Sequence, residues 1–511
     1  MAFTELAIGG LLGLQIAAGA FFCLFGLYCM LMVGLHASRK KRVLAEDARI
    51  IEAWNAGSGE LPFVTVQLPL YNERYVVDRL IDNIVLLDYP RDRYEIQVLD
   101  DSTDDTTRIA MEFVERYRAQ GYNIELIHRT DRTGFKAGAL KHGNETARGE
   151  FIAIFDADFL PDPDFLRRTL PFFDEPRLGM VQTLWGHINA GYSKMTLAQS
   201  VALDGLNYVV QSAQCWSGLL MHFQGTAGIW RRTAIDDAGG WQADTLTEDL
   251  DLSYRAHLRG WTMKYLPQVV CPGELPTTIS AAKTQQHRWA KGGFQVMCKL
   301  LPDIFRSALP WYAKAEAFFY MVSMILQPCL MVISLSWPAQ LWLRQNSQLS
   351  EAVLPVAVFV TLCSIGPPLL FLYAQRELHR DWTRRIHHYG YLMLWSMGVA
   401  VTNTRAILEV AFNIRTGFVR TPKFRIVRQG DSVVGKGYRI RLSPQVLIES
   451  AIAAYCLFGI AYMLARPEPV IDPFLLVFTS GIVITISQAL WEPFAQRRAA
   501  RRGTAEMAEA A

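Results

Sequence analysis

"FIAIFDADF", residues 151–159, reads as a strand that closes on paired acids. Phe151 to Phe155 are apolar, and Asp156-Ala157-Asp158 follow at once. Similar short runs stand upstream: "FVTVQLP" (63–69), "YEIQVLD" (94–100) and "IELIH" (124–128). Amphipathic, helix-like stretches lie between them, near 74–87, 104–119 and 136–147. Strands alternating with helices imply a largely parallel sheet. "YEIQVLD" also runs into acids, Asp100-Asp101. In open α/β sheets, ligands bind beyond the carboxyl ends of the strands. Acids at two such ends are therefore expected to face one crevice, within a soluble α/β domain over 60–305.

Around that domain the chain changes character. Of 511 residues, 51% are hydrophobic and 19% charged, a balance between soluble and membrane proteins. Fifty-one basic and 48 acidic residues leave a net charge of +3, so no global field points to nucleic acid. The 8 cysteines form no CxxC pair and no Cys/His zinc spacing, which argues against a disulfide framework or a structural metal.

Ala7 to Leu35 carries no Asp, Glu, Lys or Arg. That exceeds the ~20 residues a helix needs to cross a bilayer. Arg39, Lys40, Lys41 and Arg42 follow it. A secretory signal would place its charges before the apolar run. Residues 1–45 therefore read as an uncleaved anchor with its basic flank in the cytoplasm. Residues 306–495 read as a membrane domain with spans near 314–343, 352–375, 446–465 and 471–492. Basic clusters at 376–385, 415–441 and 497–502 all belong inside. The apolar stretch 389–412 lies between two of them and holds Asn403, Arg405 and Glu409. It reads as an interfacial or broken re-entrant helix. About five crossings result, with the tail 496–511 disordered.

Several motifs admit both a chemical and a structural reading. Asp156 and Asp158 can share a hard divalent cation with phosphate oxygens, although Asp-x-Asp is common in turns. In "LDDSTDDT" (99–106), Ser102, Thr103 or Asp104 can cap the next helix; capping leaves Asp100 and Asp101 unexplained. In "TLTEDLDLSYR" (245–255), Glu248 and Asp249 suit a helix N-terminus, or a general base acting on a hydroxyl. "GFKAGALKHG" (134–143) opens a helix with Lys136, able to neutralise phosphate, among small residues. In "TQQHRWAKGG" (284–293), Arg288 offers a planar fork for phosphate. Trp289 offers a flat face for a sugar ring, or a membrane-interface anchor.

In order, "DDSTD", "DAD", "TED" and "QQHRW", flanked by spans, resemble the processive, membrane-embedded members of glycosyltransferase family 2, such as cellulose, chitin and hyaluronan synthases. "FQGTAGIWRR", "DDAGGW" and "ELPTTISAAKTQQHRWAKG" are similar in wording to plant cellulose-synthase-like mannan and glucan synthases and their bacterial relatives. The resemblance implies an α/β GT-A (Rossmann-like) catalytic domain, a nucleotide-sugar donor (a UDP- or GDP-hexose) and Mg2+ or Mn2+. It puts Tyr71, Glu73, Asp100, Asp101 and Lys136 at the nucleotide, and Asp156 and Asp158 at the metal. Asp249 becomes the base, with Glu248 beside it. Gln285, Arg288 and Trp289 line the acceptor and pyrophosphate end, flanked by Phe223, Gly225 and Thr226. His287 receives no role.

"GFVRTPKF" (417–424), within a loop over 415–428, resembles the FxVTxK gating loop of bacterial cellulose synthase. Phe418, Thr421 and Lys423 match, and Arg420 replaces the valine. A basic loop binding anionic lipid is the other reading. A single span before the catalytic domain, and no room for a regulatory β-barrel after the membrane domain, depart from that enzyme. They argue against cyclic-di-GMP control and against cellulose as product. The implied reaction is inverting, metal-dependent sugar transfer to a growing β-linked polysaccharide that passes through the membrane domain. The alternative is a glycolipid synthase acting on ceramide or diacylglycerol. The implied partners are the donor, a glycan or lipid acceptor and the bilayer. The implied place is a bacterial plasma membrane, with the catalytic domain cytoplasmic.

Overall fold

The structure, a computed structural model, describes residues 2–57, 59–343, 365–428, 430–431, 436, 442–465 and 473–509. Strands β1 (Val64–Leu70), β2 (Tyr94–Asp100), β3 (Ile124–His128) and β4 (Phe151–Ile154) form where the alternation placed them. Helices α2 (Val77–Ile84), α3 (Thr106–Ala119) and α4 (Phe135–Thr146) connect them. Three further strands, β5 (Leu178–His187), β6 (Gly228–Arg231) and β7 (Thr262–Gly273), complete a sheet of order β3-β2-β1-β4-β6-β5-β7. The β1–β2, β2–β3, β1–β4 and β5–β7 pairs are parallel. Only β6 runs against its neighbours.

Side chains alternate across the sheet. Val66, Leu68, Ile96 and Phe155 enter one core, while Ile152, Ile154, Leu140 and Trp230 enter another. With both faces covered, β2 is buried at every position, and its polar Glu95 and Gln97 accept from Thr65 Oγ1 at 2.7 Å and Gln67 Nε2 at 3.0 Å.

Among the described residues, four helices are long and apolar enough to cross a membrane: Gly9–Ala56, Trp311–Ala339, Gln445–Leu464 and Pro473–Gln496. The expected span 352–375 falls mostly outside the described residues; its end lies in the helix Gly366–Leu378. The stretch 389–412 is two helices, Tyr389–Gly398 and Ala400–Ala411, meeting at Val399. Gly398 permits close packing there, since a Cβ would lie 2.2 Å from Thr485 Cγ2.

Three expectations need correction. The anchor does not stop near residue 45: α1 is one helix from Ala2 to Ala56. No Gly or Pro stands between Leu35 and Ala56, and Ile50, Ile51 and Trp54 pack against the sheet's core. Asp47 binds Lys264 of β7 at 2.6 Å, tying the helix to the domain. The tail expected to be disordered continues the last helix to Glu509, in keeping with its wealth of Ala, Arg and Glu, strong helix formers. Cys23 is disulfide-bonded, a pairing that linear spacing could not reveal.

Candidate active site

The carboxyl ends of β1, β2, β4, β5 and β7 open into one cleft of about 1290 Å³. Fifteen of the eighteen residues expected at the site line it. They come from eight parts of the chain: the ends of β1, β2 and β4, the start of α4, the segment before β6, the helices Glu248–Leu258 and Ile279–Arg306, and the loop after the helix Ala400–Ala411.

Asp156 and Asp158 stand at the centre, just past β4. The backbone N–H of Asp156 donates to Thr226 Oγ1 at 2.9 Å, so Thr226 braces the paired acids from behind. Lys136 Nζ lies 2.6 Å from Asp156 and donates to the Gly225 carbonyl at 2.7 Å. Asp158 pairs with Lys423 of the loop, and its Oδ2 accepts from the Glu274 N–H at 3.3 Å. Among the described residues no three acidic, His or Cys side chains converge as metal ligands. Two carboxylates are nonetheless the set that suits Mg2+ or Mn2+ when substrate phosphates and waters supply the other ligands. The donor set therefore fits such a cation only together with a diphosphate.

Asp249 opens the helix Glu248–Leu258, its Oδ1 accepting its neighbour's N–H, that of Leu250, at 2.9 Å. Burial pushes its carboxyl up to about 7, Glu248 adds to the rise, and Lys136 opposes it. Gly225 allows the close approach: its φ is +86°, and a Cβ there would lie 2.9 Å from Asp249 Oδ2.

The helix Ile279–Arg306 presents Gln285, Arg288 and Trp289 to the cleft. The loop closes over it. Phe418 stacks on Phe135 with centroids 5.3 Å apart, and the Arg288 guanidinium lies 4.9 Å above the Phe418 ring. Arg420 grips Glu73 bidentately. Burial raises the Glu73 carboxyl to about 7, against the pull of Arg420 and Lys423. Arg132 lies 3.3 Å over the Tyr71 ring. Lys291 holds the base of this loop, donating to Glu409 Oε2 at 2.9 Å, the Ile414 carbonyl at 2.8 Å and Thr416 Oγ1 at 2.6 Å. Five non-glycine residues among those described have positive φ, and Asn72, Phe135, Ala227 and Arg425 lie within two residues of the cleft lining. Strained backbone of this kind concentrates where function over-determines geometry.

Three expected residues do not reach the cleft. Asp100 is wholly buried and satisfied by His128 Nδ1 at 2.8 Å, Thr107 Oγ1 at 2.6 Å and the Ser102 N–H at 3.1 Å. Phe223 is buried edge-on against Trp230. Thr226 acts through Asp156, as above. Asp101 does line the cleft, with both oxygens held by Arg129 at 2.8 and 2.6 Å.

A second cavity, about 1390 Å³, lies beyond Leu246, Arg288 and Phe418, which line both spaces. His287 borders it and meets Glu409 at 3.0 Å; Lys283 and Glu449 pair there at 2.7 Å. Sequence reasoning missed Arg132, Trp185, His187 and Glu274 in the first cleft, whereas Gln224 lies in the stretch 223–228 that the family resemblance puts beside the acceptor. Only Arg132, in the Gly-containing turn before Lys136, carries a local hint.

A GT-A-like α/β sheet with paired acids at a central strand end, flanked by apolar helices, defines a membrane-associated enzyme of the glycosyltransferase class. The chain belongs to glycosyltransferase family 2. The family model described as "Glycosyltransferase like family 2" matches residues 62–292. Glucomannan 4-beta-mannosyltransferase 7 of Arabidopsis thaliana is 33% identical over 424 residues, covering 79% of this chain and 72% of that protein. Glucomannan 4-beta-mannosyltransferase 2 of the same plant is 43% identical over 256 residues, 49% of this chain and 48% of its own length. The mannosyltransferase PcManGT from Pyrobaculum calidifontis, solved with GDP-Man and Mn2+, shares the fold at a TM-score of 0.51 and 20% identity, covering 76% of this chain and 99% of that one. These sequence relatives are plant proteins, so they lend no support to a bacterial plasma membrane.

Proposed function

We propose that the chain transfers a hexose, mannose foremost, from a GDP-sugar to the end of a β-linked glycan. The meeting of Asp156, Asp158, Asp249, Arg288 and Trp289 in one cleft carries this reading. The mannosyl names of the relatives favour mannose. Tyr71, Arg132 and Glu73 bind the base end. Asp156 and Asp158 hold the divalent cation, which when bound offsets charge on the departing diphosphate. Lys136 and Arg288 add fixed positive charge beside the same phosphates.

Asp249, with a carboxyl near neutrality, takes the proton from the acceptor hydroxyl. That oxygen attacks the anomeric carbon from the face opposite the diphosphate, and an α-linked donor yields a β-linkage. Trp289 supports the acceptor ring. The lengthened glycan moves on past Phe418 into the second cavity. The test is to incubate purified protein with GDP-mannose, GDP-glucose and UDP-sugars in Mg2+ or Mn2+. Release of GDP with a product cut by β-mannanase is the expected outcome. A product extracted into organic solvent would instead indicate a glycolipid.

A further inference from the structure

Trp185, His187 and Gln224 line the cleft but have no part in the transfer above. They lie across the sheet from the base end. In strand order, β4 and β6 separate β1, which leads to Tyr71, from β5, which ends at His187. Three strand spacings amount to about 14 Å.

The His187 side chain is only 8% exposed. Its Nε2 lies 3.1 Å from Asp204 Oδ1, while the other Asp204 oxygen is held by Gln375 at 2.7 Å and faces His379 Nε2 at 2.9 Å. A carboxylate accepts, so the Nε2 of a neutral His187 carries the hydrogen and Nδ1 is left an acceptor. Nδ1 has no protein partner among the described residues. Gln224 is fixed in a similar way: its Nε2 donates to Asn207 Oδ1 at 2.6 Å and its N–H to Gln182 Oε1 at 2.9 Å. Its own Oε1 is buried without a partner. Turning the two amides over would leave a different polar atom of Gln224 unpaired. Trp185 stands on the same strand, its ring 5.1 Å from that of Phe159.

Asp204 and Asn207 flank the point where the helix Lys194–Asp204 passes into a π-helical turn, Gly205–Gln211. Such turns recur at functional sites. Here the turn sets two polar side chains behind two cleft residues.

We propose that Trp185, His187 and Gln224 form a hexose subsite, with Asp204 and Asn207 as its positioning residues. A hexose offers an apolar C–H face to Trp185 and hydroxyl donors to His187 Nδ1 and Gln224 Oε1. Left unpaired, the buried Gln224 Oε1 costs about 1–3 kcal/mol. The subsite rests on the glycosyl-transfer reading, whose own failure shows separately as wild-type protein that releases no nucleoside diphosphate from any donor.

The experiment uses the full chain in detergent, with GDP-mannose and β-1,4-mannotetraose varied in turn, for wild type, His187→Ala, His187→Asn and Gln224→Ala. The Ala variants are expected to raise the KM of one substrate about three- to tenfold, the loss of one hydrogen bond. Their affinity for GDP alone stays unchanged, and His187→Asn, which keeps an acceptor, recovers part of the loss. A rise confined to GDP-mannose assigns the subsite to the donor hexose, and one confined to mannotetraose assigns it to the acceptor. Unaltered KM for both substrates, or an equal loss of GDP affinity, overturns the proposal. Should His187→Ala fail to fold, Gln224→Ala and His187→Asn decide on the same criteria.

Discussion

Arg420 holds Glu73 through Nε at 3.0 Å and Nη2 at 2.9 Å, across 347 residues of chain. Both partners are largely buried. Breaking such a pair strands a charge and costs about 3–5 kcal/mol. Arg420→Val restores the residue of the pattern this loop departs from. It is expected to free the loop, seen as faster proteolysis within 415–428 and a raised donor KM. An unaltered digest would mean that the loop's other contacts, those of Phe418, Lys423 and Lys291 among them, hold it without Arg420.

Asp249→Asn tests the base. Removing a general base costs about 10²- to 10⁴-fold in rate. The variant should keep GDP affinity within about twofold while kcat falls by at least 10²-fold. If folded Asp249→Asn retains more than a few percent of the rate, Asp249 is not the base.

The raised Asp249 carboxyl makes a signed prediction for pH. A base must be ionised, and this one holds its proton up to about 7. kcat/KM should therefore fall as pH drops through about 7, towards a tenfold loss per unit. Glu248→Gln removes the neighbouring like charge and should shift the limb to lower pH. The limb should persist in Glu73→Gln, although Glu73 is also raised to about 7.

Gly225→Ala would set a methyl 2.9 Å from Asp249 Oδ2 at a φ of +86°. The carboxylate must then turn away from its working position. A rate loss of at least about tenfold is expected, since small misplacements of reacting groups carry penalties of this order. A fall in thermal midpoint of only a few degrees would separate this from unfolding.

Much of this site is legible from strand ends. The run into Asp156 and Asp158 announces both the sheet and its open edge, because β4 is apolar until it stops. Asp100 and Asp101 show where such reading fails. Adjacent residues at a strand end point to opposite sides, so only one of the pair can face the cleft. Deciding which requires His128 and Thr107, whose contacts exist only in the folded sheet. Lys291 gives no local sign either, since its partner Glu409 lies 118 residues away. His187 reads as one more residue of a strand until Asp204 and the cleft surround it.

The helix α1 has a mechanical consequence. It runs unbroken for 55 residues, about 80 Å at 1.5 Å per residue, from its most apolar stretch to the sheet it grips through Asp47 and Lys264. The catalytic domain is thus mounted on a rigid shaft, with a set azimuth as well as a set height. One residue inserted near Ser38 would turn the domain by about 100° about that shaft, and three or four together would bring it back nearly into phase.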